Sequence, residues 1–214
     1  MRLVLIRHGE TDHNAEQIAL GREDVPLNER GRLQAQAIAA AAKAGGLPGP
    51  IDAVYSSPLE RALATASPLA EALTKSVRIE QALIEMDVGE VENQTYAELR
   101  ERYPDFLRAW RSDDCADVAM PGGESLRDVQ ERAWAAVEAM RERHAEETVA
   151  AVTHNFVILT VLCQALDLPP DKFRRLRHDL AAVSLIELTA ERSAVLLLND
   201  RCHLQGNLDR IVAQ

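Results

Sequence analysis

The chain has 214 residues, 47% of them hydrophobic, and a formal charge of −10. That length suits one domain, or one domain with a subdomain, and can bury a substantial core. The acidic balance argues against sequence-independent nucleic-acid binding and against polybasic membrane attachment, because both need clustered Lys and Arg.

No stretch approaches the roughly 18 apolar residues of a membrane span. Only a short apolar run, LVLI, follows Arg2, too little for the hydrophobic region of a signal peptide. Cys115, Cys163 and Cys202 are odd in number and lack metal or redox spacing, so they read as reduced thiols. The expectation is a cytoplasmic enzyme or binding protein with neither nucleic acid nor membrane as partner. Its oligomeric state is open, a homodimer included.

Strand-like and helical runs alternate along the chain. LVLIR (3–7) reads as a buried strand, followed by a loop to about Leu27. A helix is predicted over 29–44, with Asn28 as N-cap and Gly45-Gly46 as its stop. DAVYSS (52–57) is the next strand, and the helix from about Leu59 is expected to break or restart at Pro68. VRIE (77–80) is a short strand. Residues 86–123 are irregular, with short helices around 95–102 and 105–111, and read as a cap or insertion.

Ser125 or Glu124 opens a long helix to about His144, whose apolar positions keep 3,4 spacing. TVAAVT (148–153) is a buried strand leading into a helix over 155–166, and AVSLIEL (182–188) with AVLLLN (194–199) form a final hairpin or strand pair. Repeated strand–helix units imply an α/β three-layer sandwich over 1–214, a mostly parallel central sheet flanked by helices on both faces.

In such folds ligands gather where strands exit at their carboxyl ends. The first strand exits into Arg7-His8-Gly9, and the second into Ser56-Ser57-Pro58 with Arg61 one turn on. The strand over 148–153 exits into His154-Asn155, and Glu85 follows the short third strand. Arginine offers a planar, permanently charged fork for phosphate oxygens. A neutral histidine nitrogen can accept a phosphoryl group, arginines spread the transferring charge, and a carboxyl group can protonate the departing oxygen. No GxxxxGK[ST], GxGxxG, Cys-x5-Arg, Asp-x-Asp-x-Thr or HExxH is present, and the histidines lack zinc spacing. His8 is left as the nucleophile, in a phosphoryl transfer needing neither metal nor cofactor. On this reading the strand fixes His8, and Gly9 lets a phosphate approach the backbone.

These motifs resemble the histidine phosphatase superfamily, the phosphoglycerate mutase-like proteins. RHGET (7–11), GREDVPLNERGRLQA (21–35), SSPLERALATA (56–66), GGES (122–125) and VTHN (152–155) are similar to its signatures and stand in its order. The resemblance implies His8 as nucleophile, Glu85 as general acid and base, and Arg7, Arg61 and His154 as phosphate-pocket residues. It adds Asn14 beside the phosphate, and Asn155 and His203 are counted with the substrate-binding groups. Arg22 reads equally as a substrate clamp or a loop salt-bridge partner. Glu10 and Thr11 read as loop organisers or substrate contacts, and His178 is left aside. Asn93 and Asn155 stand where the family commonly has glycine.

The chain looks like the small phosphatase branch, which implies a metal-independent phosphomonoesterase for a small metabolite such as phosphoserine, a phosphoglycerate, or a sugar or nucleoside phosphate. The alternatives are a cofactor-dependent phosphoglycerate mutase and an inactive phospho-ligand-binding module.

Overall fold

The computed structural model describes residues 1–205; the rest of the 1–214 unit read from sequence lies outside the described residues. Six strands form one sheet: β1 (Arg2–Arg7), β2 (Ala53–Ser56), β3 (Val77–Ile79), β4 (Thr148–Thr153), β5 (Val183–Leu188) and β6 (Ser193–Asp200). Their order is β3-β2-β4-β1-β5-β6. β1 to β4 are mutually parallel, while β5 pairs antiparallel with β1 and β6 antiparallel with β5.

Alternation along the strands divides the core in two. Leu3 and Leu5 of β1, Tyr55 of β2, and Val149 and Ala151 of β4 pack on one face under α6 (Leu126–Arg143) and α7 (Asn155–Ala165). Val4, Ile6, Val54, Ala150 and Val152 pack on the other under α2 (Glu29–Lys43) and α3 (Glu60–Ala72). Both faces of the central strands are therefore buried, which is why they read as unbroken apolar runs. Each Leu, Ile or Val so buried contributes about 1.5–3 kcal/mol. The expected sandwich with helices on both faces is what forms.

Element boundaries follow local chemistry. Asn28 caps α2 by accepting from the Gly31 amide at 2.9 Å, and Ser125 opens α6 in a capping box with Asp128. Two differences from the sequence reading have clear causes. The 8–27 stretch is not all loop: a five-residue α1 (Asp12–Glu16) forms there, started by a Thr11–Asn14 capping box too short to leave an apolar period.

Nor does Pro68 break α3, which runs through it. The missing N–H leaves one carbonyl free, but Ala62, Ala66, Leu69 and Ala70 bury the helix against the core, and the Ser67 hydroxyl donates to the Leu63 carbonyl at 2.8 Å. Tertiary burial outweighs the local penalty.

Residues 86–123 contain α4 (Tyr96–Arg102) and α5 (Pro104–Trp110). An isolated bridge joins Thr95 to Ile18, and Trp110 packs with Phe106, Phe156 and Phe173 at ring separations of 5.8, 6.1 and 5.9 Å. Trp110 is thus a packing residue.

The first turn of α2 lies directly on the loop leaving β1. A methyl group on Gly31 would stand 2.1 Å from the Glu10 carbonyl oxygen, and one on Gly9 2.6 Å from that of Gly31. Gly31→Ala should therefore destabilise the fold by about 1–3 kcal/mol through overpacking against backbone, lowering the midpoint of urea unfolding. An unchanged midpoint would mean that this contact is slack.

Candidate active site

His8 follows the central strand β1 and is tied to both of its neighbours. Its amide donates to the Thr153 carbonyl at 3.0 Å, and its carbonyl accepts from the Ala181 amide at 3.2 Å. The Nδ1–H donates to the Gly9 carbonyl at 2.7 Å, which leaves Nε2 with its lone pair in the neutral ring. The Gly9 amide donates to Thr65 Oγ1 at 3.0 Å, and the Thr65 hydroxyl donates to the Arg61 carbonyl at 2.8 Å. Buried Gln34 accepts from the Glu10 amide at 2.8 Å.

The space where a side chain on Gly9 would stand is filled by Gly31, so its lack of a side chain admits helix α2. Glu10 takes Asn28 Nδ2 at 3.0 Å, and Thr11 caps α1, so both organise the loop.

Arg61 on α3 is fully buried. It donates from Nη2 to the Gly21 carbonyl at 2.6 Å and from Nη1 to that of Glu23 at 2.8 Å. Arg7 donates from Nη1 to the His178 carbonyl at 2.7 Å. Among the described residues neither guanidinium forms an ion pair, and the Nε of each is buried without a partner. Burial lowers both guanidinium values, that of Arg7 to about 10, so both stay charged at neutral pH.

His154 lies with its ring 5.1 Å from that of His8; its Nε2 is 2.7 Å from Ser57 Oγ and its Nδ1 is buried without a partner. Burial first, then the charges of Arg61 and Arg7, hold His8 well below the ordinary histidine value. Burial, then Arg61 and His8, do the same to His154. Both rings are neutral at working pH. Such a set of buried donors suits an anion, and a neutral Nε2 among them suits attack on phosphorus.

Glu85 is 4% exposed. Its Oε1 accepts from the Met86 amide at 2.8 Å and its Oε2 from the Phe156 amide in the first turn of α7 at 3.3 Å. Burial raises its carboxyl value above the ordinary range, against the Met86 amide, Arg61, the Phe156 amide and Arg7. A carboxyl group so perturbed can hold a proton for delivery.

The structure brings five of the predicted residues together in this way: Arg7, His8, Arg61, Glu85 and His154. The others are placed as follows. Asn14 Oδ1 is taken up by the Thr11 amide and hydroxyl, at 3.2 and 3.0 Å. Arg22 is a salt-bridge partner, 3.3 Å from Asp87 and 3.0 Å from Glu124. Asn155 is the first residue of α7, behind its N-cap His154. His203 donates from Nε2 to the Ala181 carbonyl at 2.9 Å, one bond removed from the backbone of His8. Asn93 has φ +62, the left-handed backbone that glycine adopts most readily and asparagine next; the replacement keeps the backbone shape.

Residues missed in the sequence complete the frame. Ser57 and Thr65 were visible in SSPLERALATA, but only as motif letters. Glu92 accepts from the amides of Gly21, Arg22 and Glu23, at 2.5, 2.8 and 3.2 Å, pinning the loop whose carbonyls receive Arg61. His178 is buried beside Arg7 with no ring partner among the described residues; burial and Arg7 push it down to about 3. Nothing in its spacing announces either role. Among the described residues no three His, Cys, Asp or Glu side chains stand where they could hold one metal ion.

The family model of the histidine phosphatase superfamily (branch 1) matches residues 3–201. Phosphoserine phosphatase 1 of Hydrogenobacter thermophilus is 35% identical over 204 residues, 95% of this chain and 94% of that protein. Bifunctional protein Rv2228c of Mycobacterium tuberculosis is 38% identical over 205 residues, 95% of this chain; the chain spans 55% of that relative's length. The solved structure of a mycobacterial glucosyl-3-phosphoglycerate phosphatase with VO3 superposes with a TM-score of 0.84 at 28% identity, over 94% of this chain and 99% of that one. With the signatures in order and the site assembled at the strand exits, the chain belongs to the histidine phosphatase superfamily, as a phosphatase-type member of it.

Proposed function

We propose that the enzyme hydrolyses a small phosphomonoester through a phosphohistidine on His8. The observation that carries this reading is the charge of the site: fully buried Arg61 and partly buried Arg7, neither in an ion pair among the described residues, and three buried polar atoms, Arg7 Nε, Arg61 Nε and His154 Nδ1, without partners. A buried donor left unpaired costs about 1–3 kcal/mol, and an anion such as a phosphate is the kind of partner these groups would take.

In the first step His8 Nε2 attacks phosphorus in line, forming the N–P bond as the ester P–O bond breaks. Glu85 gives its proton to the leaving oxygen and becomes a carboxylate. In the second step Glu85 takes a proton from water, the oxygen attacks phosphorus, and the N–P bond breaks to release phosphate and restore the neutral ring. Arg7 and Arg61 carry the charge of the equatorial oxygens throughout. The His8 Nδ1–H, held by the Gly9 carbonyl, fixes the tautomer in both steps.

Phosphoserine heads the substrate candidates because the 35%-identical relative carries that activity in its name; phosphoglycerates and sugar or nucleoside phosphates follow. Residues 86–123 would serve as the cap that selects among them, and the free thiols fit a cytoplasmic setting.

Phosphate release from phosphoserine, 3-phosphoglycerate, sugar phosphates and an aryl phosphate, measured with EDTA present, should reveal one preferred ester. His8→Ala should abolish its turnover. Release that survives in the variant would sink the His8 mechanism, and loss of activity with EDTA would sink metal independence. Arg61→Gln should lower kcat by about 10²–10³, the usual worth of such a donor; a change confined to KM would restrict Arg61 to ground-state binding.

The neutral histidines also set a stability slope. His178, at about 3 in the folded state, stays unprotonated while the unfolded chain takes up its proton near pH 6.5, so stability falls as pH drops. Between about pH 6 and 4, His178→Asn should shed about 1.4 kcal/mol per pH unit of that decline. Urea unfolding at several pH values measures it, and an unaltered slope would contradict a neutral His178.

A further inference from the structure

Glu85 lies just past a short 3-10 turn, Gln81–Leu83, and the carbonyls of the four consecutive residues 82–85 are all taken by side chains. Thr153 Oγ1 donates to the Leu83 carbonyl at 2.6 Å. Arg132, reaching across from α6, donates from Nη1 to Ala82 and Ile84, both at 2.7 Å, and from Nη2 to Glu85 at 3.1 Å. The same guanidinium grips Glu124 in a fork, Nε to Oε1 and Nη2 to Oε2, both at 3.0 Å. Glu124 Oε2 accepts from the Asp87 amide at 2.9 Å, so both ends of the 82–87 segment close on one ion pair.

Arg22 completes the brace: its Nε reaches the Glu85 carbonyl at 3.3 Å and its Nη2 lies 3.0 Å from Glu124. Burial works against the charged form of Glu124, and the Arg132 fork and the Asp87 amide outweigh it, holding the carboxyl below its ordinary range.

The geometry points to Arg132, locked by Glu124, as the residue that positions the carboxyl group of Glu85 for proton transfer. Resting on the reading of Glu85 as general acid, the inference goes beyond it by assigning a specific function to two residues with no hydrogen bond to its carboxyl group. Glu85 has its backbone fixed by Arg132 and its carboxyl fixed by the Met86 and Phe156 amides. Loosening the first would let the second pair drift, because Oε1 bonds to the next amide of the same loop. A lysine has the charge but one donor centre, and cannot serve three carbonyls and a carboxylate together.

Proton donation matters most when the leaving group is a poor one. An alkoxide such as that of serine needs the acid, whereas 2,4-dinitrophenolate leaves without it. The measurement is kcat/KM, which reports ester cleavage even where hydrolysis of the phosphoenzyme limits kcat, across a series from alkyl to activated aryl phosphates. Wild type, Glu85→Gln, Arg132→Lys and Glu124→Gln would be compared.

With general-acid donation usually worth about 10²–10⁴, Glu85→Gln should lose that factor on the alkyl ester and little on the dinitrophenyl ester. Arg132→Lys and Glu124→Gln should show the same steepened dependence at about 10-fold to 10²-fold on the alkyl ester. A loss equal for all esters in both brace variants would overturn the inference, since it would mark Arg132 as structural only. A flat series for Glu85→Gln itself would instead overturn the general-acid reading beneath it. Should Arg132→Lys fail to fold, as judged by thermal melting, Glu124→Gln decides alone: steepening supports the positioning role, and a uniform loss removes it.

Discussion

Two cations without an ion-pair partner set the terms for everything around them. Fully buried Arg61 and partly buried Arg7 have only backbone carbonyls as hydrogen-bond partners among the described residues, three between them. A charge so placed is costly unless it is hydrogen-bonded and later paired. The fold meets the first need by turning loop carbonyls inward and leaves the second to the substrate. Because Gly21 and Glu23 must face Arg61, their amides need a second holder, which Glu92 supplies. Much of the polar architecture follows from satisfying that demand in sequence.

The same field explains the protonation states. His8 and His154 could not both be charged beside two guanidinium groups in a buried site, and they are driven neutral by burial and by Arg61. Glu85 feels the arginines in the opposite sense, which would keep it ionised, yet burial overrides them and raises its carboxyl value. A neutral imidazole and a carboxyl group raised toward its protonated form therefore lie in one site. The balance between burial and attraction differs in sign from group to group.

The strands and main helices were legible because burial on both faces leaves a strong pattern. LVLIR and TVAAVT had no alternative reading, and Asn28 marked the start of α2 by its position alone. The core of the candidate site was equally legible, since in an open α/β sheet the chemistry follows strand exits. What escaped were pairings across large separations. Arg132 and Glu85 are 47 residues apart in the chain, and no spacing rule joins them. Pro68 was misjudged because local propensity cannot weigh the packing of Leu69. Asn93 was read as a departure from glycine, whereas its backbone angle makes it a substitute.

The position of β1 in the middle of the sheet has a further consequence. Many sites sit on loops that open locally, at the low end of a protein's stability spectrum. Here the amide of His8 is hydrogen-bonded to β4 and its carbonyl to the segment entering β5, with fully buried residues on either face of the strand before it. That amide is therefore protected by a hydrogen bond to the sheet rather than left on a free loop. His8 is thereby anchored to the core of the sheet, and any local opening of the site falls to the loops around it rather than to the backbone of His8.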